Sequence, residues 1–222
     1  MVYQIRKHRY GVFVESFILS IIIFLIGFSI GFYFENLRLS KVINNYQGNE
    51  IEALDLKLQN YYYQIMDEQK CEFAIEQNLI FADKIYNEGL EIEKFENANQ
   101  LTGELKNERK KYVLLKSELW LNSILLKKKC GEPFDTIVYI YSNEAGKIKE
   151  AEQKAISNIL KEIKDKKGNE IILLPIAGDL DLGIVDFQKN IYNITYLPSI
   201  IINEKIILEG YHSLEKIEQY IN

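Results

Sequence analysis

Three prolines, two cysteines, two histidines and one tryptophan are all that this 222-residue chain holds of those residue types. Each scarcity excludes something. Two cysteines and two histidines leave little material for a metal site. The prolines, Pro133, Pro175 and Pro198, all fall in the last 90 residues. The proline-free part before them is rich in Leu, Ile, Glu, Lys and Gln, which favours long helices. Basic charge is in deficit as well: 27 Lys and Arg stand against 32 Asp and Glu, for a net charge of −5. That balance makes nucleic acid a poor partner. At 47% hydrophobic and 27% charged, the chain is neither disordered nor collagen-like in composition. Its length suits one domain of about 100 residues and something besides. Composition changes near "KKKCGEPFD", residues 127–135, and a domain boundary is expected there.

Formal charge is missing entirely from Ser16 to Phe34, "SFILSIIIFLIGFSIGFYF". Nineteen helical residues reach roughly 28 Å, close to the hydrocarbon thickness of a bilayer. A buried soluble helix and a cleaved signal peptide are the rivals. The apolar run is long for either, and "YFENLRLSK" follows it without an Ala-x-Ala cleavage site. The expectation is an uncleaved signal anchor. Arg6, Lys7 and Arg9 precede the span and Arg38 and Lys41 follow it, so the positive-inside rule keeps the N-terminus cytoplasmic. The part after residue 34, with 24 basic residues against 31 acidic ones, is then extracytoplasmic in a single-pass cell-membrane protein. Gly27 and Gly31 form a GxxxG pair through which two such helices approach closely as a homodimer; glycines also occur in membrane helices without that role.

Residues 36–129 contain no proline, and apolar residues recur there at helical spacing. One stretch carries Leu79, Ala82, Ile85 and Tyr86. Another carries Leu114, Leu115, Leu119, Leu121, Leu125 and Leu126. A break is expected over "ENANQLTGE", residues 96–104, with Thr102 capping the second helix. The result is a helical hairpin, or coiled-coil stalk, preceded by a membrane-proximal helix through about Asp67. Cys71 and Cys130 lie at nearly equal distances from the break, so an antiparallel hairpin places both at one end, where a disulfide is sterically feasible. Two unrelated buried thiols are the alternative. Residues 110–129, "KKYVLLKSELWLNSILLKKK", read as a helix with a solvated basic face, with a membrane-surface helix as the rival. The Tyr61-Tyr62-Tyr63 run presents aromatics on several helix faces.

The remainder reads as β-α-β-α-β-β-α. "TIVYIY", residues 136–141, is strand-like. A helix follows with Ile148, Ala151, Ala155, Ile159 and Ile163 on one face, ending near Gly168. "IILLPIA", residues 171–177, is a second strand. Residues 182–192 form a shorter helix carrying Ile184, Phe187 and Ile191. After Pro198, "SIII" and "KIILEG" make a hairpin around Asn203-Glu204, and Ser213 caps a last helix through Ile221. A right-handed crossover and a closing hairpin give the sheet order second, first, third, fourth, with Pro175 on an edge strand.

This order, together with the ending "YLPSIIINEKIILEGYHSLEKIEQYI", resembles the thioredoxin-like superfamily over residues 135–222. The resemblance implies an α/β thioredoxin-like domain. It also implies a cis peptide before Pro198, a trans proline at a strand entrance being the alternative. A groove for extended peptide is implied around Tyr141, Ser142, Asn143, Leu197 and Pro198. The departure from the family is sharp. Redox-active members place Cys-x-x-Cys just after the first strand, where this chain reads "YSNEAGKIKEAEQ" and holds no cysteine. No catalytic residue carries over. Lys147 or Lys149 stands where a cysteine is expected, and lysine exchanges no disulfide.

The domains expected are therefore 1–15 cytoplasmic, 16–34 membrane anchor, 35–131 helical stalk and 132–222 thioredoxin-like. Function is expected to be non-catalytic binding or scaffolding of an extended peptide or protein, without cofactor or metal. A thiol–disulfide oxidoreductase using a displaced Cys71/Cys130 pair, and a membrane-tethered oligomerisation stalk, are the alternatives. Asp179 and Asp181 read as helix caps rather than metal ligands, His212 as a surface residue, and Asn193-Ile194-Thr195 as a chance glycosylation triplet.

Overall fold

A computed structural model of the chain describes residues 9–96 and 103–221. Contacts group the chain into two compact units, Met1–Asn45 and Tyr46–Asn222. Helix α1, Arg9–Ile65, contributes to both.

In the first unit α1 carries the segment Phe13–Leu37, with a mean hydropathy of 2.5 and none of it buried. By length and composition it suits a single membrane crossing, as a signal sequence also does. It is three residues wider at each end than the charge-free run. Ser29 donates its hydroxyl to the Leu25 carbonyl at 2.7 Å, satisfying the polar group within the helix itself. A Cβ at Gly27 or Gly31 would meet nothing within 4 Å.

The second unit joins the end of α1, helices α2 (Cys71–Glu96) and α3 (Gly103–Cys130), and a four-stranded sheet. The turn expected between the two helices, with Thr102 as its cap, lies outside the described residues. The sheet comprises β1 (Asp135–Tyr141), β2 (Ile171–Ala177), β3 (Ser199–Ile202) and β4 (Ile206–Glu209), in the order β2-β1-β3-β4. β1 and β2 are parallel, and the other two pairings are antiparallel. Parallel pairing needs a crossover, which α4 (Lys147–Lys167) supplies; α5 (Gly183–Ile191) links β2 to β3, and α6 (Leu214–Glu218) closes the chain. Ile202 pairs with Ile206, so the β3–β4 loop is the three residues 203–205. Asn203 and Glu204 take φ of 50° and 56° in a turn closed by the Lys205 amide donating to the Ile202 carbonyl at 3.1 Å.

Strand alternation divides the core. Ile137, Tyr139, Ile171, Leu173, Ile200 and Ile202 face α4 and α6, where Ile156, Leu160, Ile163 and Ile217 meet them. The buried face of α4 is thus Ile156, Leu160 and Ile163. Ile148 and Ala151 lie on the exposed side, and Ile148 is 88% exposed. The i, i+4, i+7 row nearest the sheet governs burial, rather than the more N-terminal apolar residues. A similar correction holds in α5, which buries Val185 and Gln188 and leaves Phe187 and Ile191 exposed. In α3 it is Leu114 and Leu121 that are exposed. Helix α6 ends at Glu218, short of Ile221, with Ser213 accepting from the Lys216 amide as its cap.

The largest departure concerns residues 110–129. They are no solvated face: Lys116 and Lys127 are buried together with Leu115, Leu119, Trp120 and Leu126. Helix α3 forms a middle layer. On one side Asn122 takes the Asn60 amide and donates to the Leu56 carbonyl, and Ser123 accepts from Asn78. On the other, Lys116 donates to the Pro175 carbonyl at 2.8 Å and Lys127 reaches the β3–β4 turn. Lysine stems provide apolar packing while their ammonium groups find oxygen partners, which is how cations are buried at acceptable cost. Helix α2 touches edge strand β2 and reaches α4 through Asp83 and Lys164, 2.8 Å apart. A helix beside the strand guards an otherwise open edge.

Candidate functional site: the corner around Pro198

The corner is assembled from the C-terminal end of β1 and the N-terminal end of β3. Antiparallel register pairs Ile140 with Ser199, which brings Tyr141 and the residues after it beside Leu197 and Pro198. The Leu197–Pro198 peptide is cis. The Pro198 carbonyl accepts from the Gly210 amide at 2.8 Å, tying the corner to the end of β4. Gly178 lies between the two halves. A Cβ there would stand 2.8 Å from Ile140 Cγ2 and 3.0 Å from Leu197 Cδ1, so only glycine lets them approach this closely.

The loop after β1 is held by two side chains from elsewhere. Asp179 accepts from the Ser142 hydroxyl at 2.7 Å and from the Asn143 and Glu144 amides at 2.8 and 2.9 Å. Burial opposes ionisation of Asp179. The two amides and the hydroxyl outweigh it and hold the carboxyl below its ordinary range. Gln153 pairs with the Ser142 backbone in both directions, accepting from its N–H at 2.8 Å and donating to its carbonyl at 3.0 Å. Asp179 is therefore a loop clamp and not a helix cap. The residue that caps α5 is Leu182, with no side-chain hydrogen bond.

Beyond Pro198 the wall is aromatic. Tyr196 donates to Glu152 at 3.2 Å and lies under the Lys149 ammonium, and the Tyr211 amide donates to Glu152 at 3.1 Å. Tyr141 stacks on buried Tyr139 with ring centres 5.7 Å apart. Burial, first among the causes, pushes the Tyr196 hydroxyl up, and the Glu152 carboxylate adds to it. The structure thus brings Tyr141, Ser142 and Asn143 together with Leu197 and Pro198. Sequence reasoning missed Gln153, Gly178, Glu152, Tyr196 and Tyr211. Asp179 was read as a helix cap, and its three hydrogen bonds to residues 142–144 make it the loop's clamp instead.

No sulfur stands at this corner. Both cysteines are spent in one disulfide, Cys71–Cys130, with Cα atoms 5.6 Å apart and a sequence separation of 59. Cys130 lies just before the N-terminal end of β1, packed with Tyr63, Ala74 and Leu126. The corner lies at the other end of that strand, about 20 Å away along seven residues. Burial, with a lesser contribution from Asp55, pushes the nearby Tyr63 hydroxyl up to about 12. His212 is half-buried, with its Nε2 3.1 Å from the Glu209 carbonyl. Among the described residues no three His, Cys, Asp or Glu side chains gather as a metal site would require. No protein-family model matches the chain, and no curated protein matches it.

Proposed function

We propose that the chain is a single-span membrane protein whose C-terminal part, residues 132–222, is a thioredoxin-like domain without the dithiol. On this reading it serves as a non-catalytic binding or scaffold module for extended polypeptide on the extracytoplasmic side, the N-terminus staying in the cytoplasm. One observation carries the reading. The loop after β1 is clamped beside Leu197 and Pro198, while the two cysteines are joined at the opposite end of β1. A groove of this kind binds extended chain through backbone hydrogen bonds, and it needs no thiol to do so.

The test is binding of a fully reduced, alkylated polypeptide such as carboxymethylated lactalbumin. Asn143→Trp fills the groove while leaving the Asn143 amide bonded to Asp179, and Leu197→Asp places a charge on its floor. Both should weaken binding about tenfold or more, a loss of roughly 1.4 kcal/mol. Binding equal to wild type in both variants would refute the groove.

The rival reading, thiol–disulfide exchange through Cys71 and Cys130, is disfavoured by the length of β1 between disulfide and corner. An insulin-reduction assay with Cys71→Ser and Cys130→Ser controls decides between them, and cysteine-dependent turnover would reverse the order of preference.

A further inference from the structure

The last part of α1 carries apolar residues on two opposite faces. Leu56 and Tyr63, seven residues apart, are 0% and 5% exposed, on the side where Asn60 and the Leu56 carbonyl meet Asn122 of α3. The other face is unlike an ordinary protein surface. Ile51, Leu54, Leu58, Tyr61 and Ile65 are 75%, 59%, 51%, 53% and 78% exposed. Their spacings are three, four, three and four. That is the repeat of a and d positions in a heptad, with Ile51, Leu58 and Ile65 at a and Leu54 and Tyr61 at d. Single exposed apolar side chains need no explanation; an unbroken seam of five does. Leu54 also lines an open groove of about 390 Å³ with Leu114, Leu121 and Ile184, so apolar surface continues from the seam to the flank of α3.

We infer that a second copy of this chain covers the seam, the two α1 helices lying parallel as a short two-stranded coiled coil over residues 51–65. Three features select this occupant. Isoleucine at a with leucine at d, as in Ile51 and Leu54, favours two parallel strands. Area suffices: five side chains that each expose roughly 100–150 Å² give about 1,200 Å² over two copies, the lower bound of a specific interface. The flanks of the second heptad are compatible as well. Lys57 falls at g, facing the e position held by Tyr62 in the other copy, a cation-over-aromatic pairing. Two heptads are few for an isolated coil. Copies held in one membrane meet at high effective concentration and in one orientation, which offsets that shortness.

The experiment uses the full-length chain in detergent micelles, with the native disulfide kept oxidised and single cysteines joined by a short bis-maleimide. Leu58→Cys and Ile51→Cys should each crosslink to themselves several-fold more than Gln59→Cys, which lies off the seam. In sedimentation, Leu54→Asp/Leu58→Asp should convert dimer to monomer without altering far-UV circular dichroism, since both side chains are exposed in the single chain. Uniform crosslinking along the helix, or Ile51→Cys joining Ile65→Cys in preference to itself, would overturn the parallel coil. So would a wild-type monomer whose seam becomes shielded only when phosphatidylcholine vesicles are added, which would assign the face to lipid. The crosslinking pattern reads the seam whether or not the Pro198 corner binds polypeptide.

Discussion

Trp120 donates its indole N–H to Glu204 across 2.9 Å, joining the centre of α3 to the β3–β4 turn 84 residues later in the chain. The same carboxylate takes the Thr136 hydroxyl at 2.6 Å and the Lys127 ammonium at 3.0 Å. Its neighbour Asn203 accepts from Lys127 and from the Thr136 amide and donates to Asp135. Stacking of Trp120 on Tyr192, with centres 5.3 Å apart, completes the junction. A hairpin turn at the surface of a sheet has become the anchor for a helix.

Removing Glu204 should take the acceptor from the Trp120 indole and the counter-charge from Lys127. Lys127 and Glu204 expose 5% and 16% of their side chains. Glu204→Ala leaves the buried Lys127 ammonium with the Asn203 and Thr136 oxygens but no counter-charge, and should cost about 3 kcal/mol, because an uncompensated buried charge is the expensive outcome. Urea unfolding followed by tryptophan fluorescence would read this directly. A loss below about 1 kcal/mol would show the pair to be solvated.

Asp179→Ala should release the loop 142–144. Three hydrogen bonds disappear, and the stability loss at neutral pH should be roughly 1–2 kcal/mol, limited by the partial exposure of the site. The folded-state pKa of Asp179 is lowered, so its contribution is complete above the unfolded value near 3.9 and fades as pH falls through the folded value. Wild type and variant should therefore differ at pH 7 and converge in strong acid. Amide exchange at Asn143 and Glu144 should speed up in the variant.

Gly178→Ala should distort the corner. The new methyl would sit 2.8 Å from Cγ2 of fully buried Ile140, a branched group without a flexible end to swing away. Overpacking of this kind costs about 1–3 kcal/mol. Thermal unfolding measures it, and an unchanged melting temperature would contradict the packing described.

Reduction of Cys71–Cys130 should destabilise without removing the fold. Closing a loop of 59 residues is worth about 4 kcal/mol in the chain-entropy account. Denaturant midpoints with and without reductant, at constant far-UV circular dichroism, provide the check.

Helix α4 offers a test of which apolar residues matter. Ile156→Ala should cost about 2–5 kcal/mol, and Ile148→Ala, at 88% exposure, less than about 0.5. Equal losses would mean that the helix is rotated from the position described.

The contrast between Ile148 and Ile156 marks the limit of pattern reading. Both satisfy a 3.6-residue repeat, and helical periodicity alone does not say which stripe meets a sheet. The candidate corner divides in the same way. Tyr141, Ser142, Asn143, Leu197 and Pro198 were reached only through the thioredoxin-like resemblance, which implies a groove where a strand end meets a proline. Asp179 and Gln153, which hold that loop in place, show no pattern, because a side chain that accepts from backbone amides leaves no spacing in the sequence.

What the sequence by itself determined is local: the apolar run over Ser16–Phe34, the order of helices and strands, the Asn203-Glu204 turn and the equal arms that bring Cys71 to Cys130. Each rests on rules spanning a few residues, or on the length of one hairpin. Only the tertiary structure decided that α3 is a buried middle layer. Its lysines read as a solvated face until Pro175, Thr136 and Glu204 supply oxygens from distant strands. Long-range hydrogen bonds choose among the faces that local periodicity permits, and those partners are set by how the elements pack.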